Sequence, residues 1–237
     1  MARPPQDERS QAQRARQNER KLRSYAKDAP TYDQETDFFE KWIIGTEHRG
    51  WACSRAGGVT LEVAIGTGLN LLHYPDDLTL TGVDLSPDML ALARARAERL
   101  GRAVELLEAD AQNLPFPDQS FDTVVCTYAL CSVADDALAI GEMRRVLKPG
   151  GHLILVDHVR STVPPIYWMQ WLYEFVPRRT KGEYMTRRPA QHLKTHEFQI
   201  MAHDRLRAGV VERLIAVKRA QPFMQTQREK EGQEITR

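Results

Sequence analysis

Apolar residues are spread unevenly along the chain. Between residues 59 and 158 they fall in short unbroken runs, and on either side they thin into mixed or polar stretches. The runs at 59–65, 78–83, 104–107, 121–127 and 152–158 are each of strand length, and Val124-Val125-Cys126 has the continuous apolar character of a strand buried on both faces. Between them the period changes. Ser86 can cap a helix with Pro87 in its first position, and Met89, Leu92, Ala93 and Ala97 then recur at helical spacing as far as Gly101. A second helix, around 137–147, stops at Lys148-Pro149-Gly150-Gly151. Strands alternating with helices over this length predict an α/β fold with a doubly wound, mostly parallel sheet. Two more strands, 198–202 and 210–217, are joined by a short connection and predict a C-terminal antiparallel hairpin, which makes seven strands in all.

The flanks follow other patterns. Residues 1–28 are rich in Arg, Gln, Glu and Lys and open on Arg3-Pro4-Pro5, which predicts a mobile charged tail or a solvated helix docked on the body. Over 29–56, Phe38, Phe39, Trp42, Ile43 and Ile44 group as an amphipathic helix, which either completes the core or forms a helical lid, with Tyr25 or Tyr32 reaching a ligand. Residues 164–179 read as an aromatic helix carrying Tyr167, Trp168, Trp171, Tyr173 and Phe175. It lies in an insert, 160–196, expected to cover the substrate, although such a stripe also suits a core. The segment 178–194 is basic, and is either solvated surface or a contact for an anionic substrate or lipid headgroups. The main domain thus spans 57–219, and a polar tail follows over 220–237.

The chemistry begins at Leu61-Glu62-Val63-Ala64-Ile65-Gly66-Thr67-Gly68-Leu69-Asn70, which reads as a strand, a tight turn and a helix start continuing into Leu71 and Leu72. Glycines there let a ligand approach bare backbone, and a helix start offers unpaired N–H groups, so a nucleotide-like cofactor is implied. A dinucleotide turn wants a third glycine three residues after Gly68, where this chain has Leu71, and no Tyr-x-x-x-Lys pair is evident. An NAD(P)-dependent oxidoreductase is therefore disfavoured.

Taken backward from the turn, Glu62-x-Ala64-x-Gly66-x-Gly68 resembles the motif of class I S-adenosylmethionine-dependent methyltransferases. Asp84 at the end of the second strand, Asp110 after the third, Leu114 to Asp122 and Glu142 to Gly151 match later landmarks of that family in order. The resemblance covers roughly 59–158, extends loosely to 218, and is strongest to the ubiquinone-biosynthesis-type and phospholipid N-methyltransferase-like branch. It implies S-adenosyl-L-methionine as cofactor and S-adenosyl-L-homocysteine as product. By the same resemblance Glu62 holds the methionine amino group, partly through water, and Asp84 takes the ribose hydroxyls. Asp110 with the Ala111 backbone meets the adenine, and Ala64, Gly66, Gly68, Leu85 and Met89 belong to the cofactor site, to which Thr127 after the fourth strand and Tyr32 of the lid are added as expected contacts. Asp84 could instead neighbour an N-cap and Asp110 cap a turn. Ala64 stands where the family has glycine, and Glu62 where it has Asp.

Composition narrows the partners. The 237 residues carry 33 Lys and Arg against 32 Asp and Glu, so no global field points to nucleic acid or membrane. The segment after the fourth strand, Thr127-Tyr128-Ala129-Leu130, lacks the Asn/Asp-Pro-Pro-Tyr/Phe element of nucleobase amino methyltransferases, and no nucleic acid partner is expected. Cys53, Cys126 and Cys131 lack metal or disulfide spacing, no apolar leader follows Met1, and no apolar run reaches the roughly 18 residues of a span, which fits a cytoplasmic protein without a metal. Cys131 reads as a packing residue rather than a nucleophile. The acceptor expected is a small or lipid-like molecule, bordered by Tyr128, Trp168 and Trp171, with peripheral membrane contact left open and no oligomeric state implied. His158, at the carboxyl end of the fifth strand, is either a general base or a structural histidine. A non-catalytic S-adenosylmethionine-binding module is the remaining reading.

Overall fold

The protein is described by a computed structural model over residues 6–180 and 182–219. Residues 1–5, Lys181 and the polar tail expected over 220–237 lie outside the described residues. The strands are β1 Val59–Val63, β2 Thr79–Asp84, β3 Glu105–Glu108, β4 Phe121–Thr127, β5 Leu147–His158, β6 Phe198–Leu206 and β7 Val211–Lys218. They form one seven-stranded sheet in the order β3-β2-β1-β4-β5-β7-β6. The first five are parallel, and β7 runs antiparallel to both β5 and β6. The doubly wound sheet and terminal hairpin expected from the apolar runs are thus present. β5 starts earlier than expected because Lys148-Pro149-Gly150-Gly151 is bulged into the strand: Phe121 pairs with Leu147, but Thr123 already pairs with His152.

The helices are α1 Gln6–Asp28, α2 Tyr32–Phe39, α3 Glu47–Cys53, α4 Pro87–Leu100, α5 Asp136–Val146, α6 Pro164–Thr180 and α7 Ala190–Thr195, with a single π-helical turn at Glu40–Ile44. Strand alternation divides the core between the two sheet faces. Val124 and Cys126 pack with Ala139, Ile140 and Met143 of α5 and Leu193 of α7, whereas Val125 packs with Ala52 and Cys53 of α3 and Leu90 and Ala97 of α4. Each large aliphatic side chain buried this way stabilises the fold by roughly 1.5–3 kcal/mol. The α4 boundaries are those expected: Ser86 Oγ accepts from the Met89 N–H at 3.4 Å, Pro87 opens the helix, and Gly101 closes it at φ +61°.

One expectation is corrected and two open readings are narrowed. The helix start after β1 is only one 3₁₀ turn, Leu71–His73, because Pro75 forces Tyr74 to an extended ψ of 144°. Of the two readings for residues 1–28, the described part takes the docked helix: Gln6–Asp28 is a 23-residue helix that docks through Gln17 and Lys21, both buried. Over 29–56 the chain is helical, yet Phe38, Trp42 and Ile43 are exposed, and only Ile44 of that group is fully buried. Among the described residues no helix is long and apolar enough to cross a membrane.

Candidate active site

The sheet order reverses between β1 and β4, and at such a switch point ligands bind beyond the carboxyl ends of the strands. The turn after β1 occupies that position. Its backbone is left-handed at Ala64 (φ +59°), Gly66 (φ +57°) and Gly68 (φ +79°). A Cβ built on Gly66 would meet nothing within 4 Å, so this glycine leaves open space against the cavity. Gly68 serves another purpose. Its Cβ would lie 2.8 Å from Leu71 Cδ1 and 3.3 Å from Ala93 Cα, so its missing side chain lets the turn close on α4, and it does not line the cavity.

Asp84 ties the turn to the next strand. Its Oδ2 accepts from the Gly66 N–H at 2.8 Å and its Oδ1 from the Ser86 N–H at 2.9 Å. Burial raises its pKa, opposed by those same N–H groups. Each carboxylate oxygen keeps a second lone pair, so the residue fits a pair of hydroxyl donors. Asp110 both caps a turn and borders the cavity: Oδ1 accepts from the Gln112 N–H at 2.9 Å, and Oδ2 from the Asn18 amide of α1 at 2.6 Å. The cavity wall includes Tyr32, Ala64, Gly66, Asp84, Leu85, Met89, Asp110, Ala111, Thr127 and Tyr128 of the residues expected from the sequence.

Glu62 is not on that wall. It points into the opposite layer, where Oε1 accepts from the Asn70 amide at 2.7 Å and Oε2 has no partner among the described residues. Burial pushes its carboxyl up to about 7, against the Asn70 hydrogen bond and the attraction of Arg49. Asn70 passes the arrangement on, donating to Thr127 Oγ1 at 2.9 Å, while Arg49 donates to Asn70 Oδ1 at 3.0 Å and to Thr127 Oγ1 at 3.2 Å. Arg49 also donates to Glu40 Oε1 at 2.6 Å and lies 5.0 Å from the Tyr128 ring centre. Glu62 thus does not line the cavity itself but is linked through Asn70 to Thr127, which does.

The N-terminal helices close over the turn. Asp33 of α2 accepts from Thr67 Oγ1 at 2.6 Å and pairs with Arg96 of α4, while Lys21 of α1 lies 3.4 Å from Glu183. Asn18, Lys21, Arg49, Thr67, Gln112 and Ser132 line the cavity beyond the residues expected to do so, and Tyr25, expected with Tyr32, lines it too. Asn18, Lys21 and Tyr25 fall on one helical face, a spacing readable in the sequence, but their polarity disguises it as a solvated face. Nothing local marks Arg49.

A second cavity adjoins the first. Phe39, Ile44, His158, Tyr173 and Met185 belong to it alone, and Tyr25, Tyr32, Arg49, Tyr128 and Ser132 line both. Tyr128 is held at φ +54°, and its buried hydroxyl has no partner among the described residues, which leaves a polar atom at the junction for a ligand. His158 Nδ1 lies 3.2 Å from Asp157 Oδ1. Burial works against its imidazolium, but Cys131 and Asp157 outweigh that and hold the pKa well above the ordinary value. Cys131, Asp157 and His158 bring three metal-type donors within 4.8 Å of one another, though both Asp157 oxygens already accept backbone N–H groups, from His158 and Cys131. Trp168 and Trp171, expected at the acceptor, line neither cavity and point to solvent; Tyr173 is the α6 residue that reaches the site.

Residues 61–155 match the methyltransferase domain family. Over 158 residues the chain is 32% identical to the 2-phytyl-1,4-naphtoquinone methyltransferase of Nostoc punctiforme, across 61% of this chain and 67% of that one. The chain belongs to the class I S-adenosylmethionine-dependent methyltransferases. It is also 40% identical over 112 residues to the phosphatidylethanolamine N-methyltransferase of Cereibacter sphaeroides, across 46% of this chain and 55% of that one. The chain thus spans between about half and two thirds of the length of these curated relatives. A solved S-adenosylmethionine-dependent methyltransferase from Thermotoga maritima shares the fold, with a TM-score of 0.62 at 20% identity, over 82% of this chain and 98% of that one.

Proposed function

We propose that this protein transfers the methyl group of S-adenosylmethionine to a lipid-like small molecule held in the second cavity. The observation that carries the reading is the junction: five side chains, among them Tyr128 with its unpartnered hydroxyl, border both spaces. Bound in the first cavity, the cofactor supplies a methyl group already activated by its sulfonium. The chain's task is then to align an acceptor with it and to exclude water. Asp84 would accept the ribose hydroxyls on its free lone pairs, and Asp110 and the Ala111 backbone would meet the adenine. Thr127 and Tyr128, fixed by Asn70 and Arg49, would border the methionine end.

The acceptor side mixes apolar and aromatic side chains, Phe39, Ile44, Tyr173 and Met185, with the carboxylates of Asp28, Glu35, Glu40 and Glu183, a lining that can hold a molecule with an apolar body and a polar head, as the quinone and phospholipid acceptors in the relatives' names are. His158 borders the second cavity beside Asp157 and Cys131, which shift its pKa upward against the opposing effect of burial. From there its imidazole can exchange a hydrogen bond, or a proton, with the reacting atom of the acceptor.

Calorimetry with S-adenosylhomocysteine and with NADH tests the first half. Binding of the former alone is expected, and Asp84→Asn should weaken it by about tenfold or more, as loss of charge-assisted hydrogen bonds requires. Labelled methyl transfer to reduced quinones and to phosphatidylethanolamine tests the second half. A protein that binds S-adenosylhomocysteine yet labels none of these acceptors would overturn the proposal in favour of a binding module.

A further inference from the structure

Helix α6 carries its polar side inward. Gln170 accepts from the Ser161 N–H at 2.7 Å and donates to the Val159 carbonyl at 2.9 Å. One turn later Glu174 is buried and accepts from the Thr186 N–H at 2.8 Å and the Thr186 hydroxyl at 2.6 Å. Four residues apart, these side chains share one face of the helix and tether it to the body. The rest of its surface is apolar and open: Trp168, Met169, Trp171, Leu172, Tyr173, Phe175 and Val176 are exposed, from 54% at Trp171 to 70% at Leu172. An amphipathic helix on a soluble domain is oriented the other way round. Here the hydrogen-bonded anchors hold the apolar face outward, and a contiguous apolar surface of this kind marks an interaction site.

The surrounding charge identifies the partner. Residues 160–194 hold seven Lys or Arg against two Glu, and both acids are engaged, Glu174 in the interior and Glu183 with Lys21. Arg160, Arg178 and Arg179 stand exposed at the two ends of α6. Each lies over an aromatic ring, of Tyr167, Tyr184 and Phe175 respectively. Tryptophans and long apolar side chains framed by arginines, with no acid on the outer face, are the composition of a helix that lies in a membrane interface. The tail beyond residue 219 offers little to cover this face, since Phe223, Met224 and Ile235 are its only large apolar residues.

We propose that α6 seats the protein on an anionic phospholipid bilayer, its apolar face in the boundary between headgroups and acyl chains and its arginines against the phosphates. Tyr173 belongs to both the outer face and the second cavity, so docking brings the mouth of that cavity to the membrane. The inference does not depend on which acceptor is methylated, or on methyl transfer at all.

The test is co-sedimentation of the full chain with vesicles of phosphatidylcholine alone and of phosphatidylcholine mixed with phosphatidylglycerol. Binding to the mixed vesicles should be at least about tenfold stronger, with a blue shift of tryptophan emission. Met169→Glu combined with Leu172→Glu should lower that binding by about tenfold or more, as charge on the buried face requires, while far-ultraviolet dichroism and S-adenosylhomocysteine affinity stay unchanged. Trp171→Ser, a gentler change, should give an intermediate loss. Failure to bind anionic vesicles, or binding undiminished in all variants, overturns the proposal. So does a dimer in lipid-free buffer that the double substitution dissociates, which would assign the face to a second copy of the chain.

Discussion

Ala64 holds a left-handed backbone at φ +59°, a conformation that disfavours any residue with a Cβ by roughly 1–2 kcal/mol. Ala64→Gly should therefore raise the midpoint of thermal unfolding despite glycine's greater freedom in the unfolded chain; a lower midpoint would mean that the Ala64 methyl contributes packing that outweighs the strain. Its neighbour Glu62 makes stability depend on pH. The carboxyl titrates at about 7 in the fold against an ordinary 4.5, so the folded protein binds more protons than the unfolded chain across that window. The stability is fully present below about pH 4.5 and is lost as pH rises through 7, by about 3 kcal/mol in total. Glu62→Gln, which still accepts from Asn70, should flatten that fall in urea unfolding measured across the window, and an unchanged slope would show that Glu62 is not its source. Both residues also mark how far a motif can be read. Asp84, Asp110 and Gly66 follow from strand ends and turn chemistry and do border the cavity. Glu62 and Gly68 belong to the same string of residues, but strand alternation turns one into the layer beneath, and the close approach of α4 claims the other.

The strands were the legible elements, because a strand buried on both faces leaves an unbroken apolar run and the turns between them carry Gly, Pro and Asp. The helix after β1 was not, since the stop signal at Pro75 lies beyond the residues that suggest a helix. Helix α1 was legible only as one of two alternatives, because it docks through Gln17, Lys21 and Asn18, and hydrogen bonds leave no hydrophobic period. In α6 the aromatic content was plain, but not which side faces out, because the anchors that decide it are two polar residues. Helix α2 is clamped to the turn mainly by Asp33, through Thr67 and Arg96. Asp33→Ala should leave the fold intact and speed the release of S-adenosylhomocysteine several-fold in stopped-flow measurements. An unchanged release rate would mean that the clamp does not govern closure.

The molecule as a whole combines a sheet-and-helix slab with a helical cover. Seven strands and the helices on both faces position the turn, Asp84 and Asp110, and they would do so without α1 or α2. The cover belongs to both cavities at once: Asn18, Lys21 and Tyr25 of α1 and Tyr32 of α2 border the first, and Tyr25, Asp28 and Tyr32 border the second. The helices that cover the first cavity are thus part of the wall of the second. That sharing has a kinetic consequence. An acceptor arriving first would meet an unfinished chamber, so the cofactor should bind first and S-adenosylhomocysteine should leave last, an obligatory order of addition. In initial-rate studies S-adenosylhomocysteine should compete with S-adenosylmethionine but not with the acceptor, and rates that fit random addition would show that the two chambers open independently.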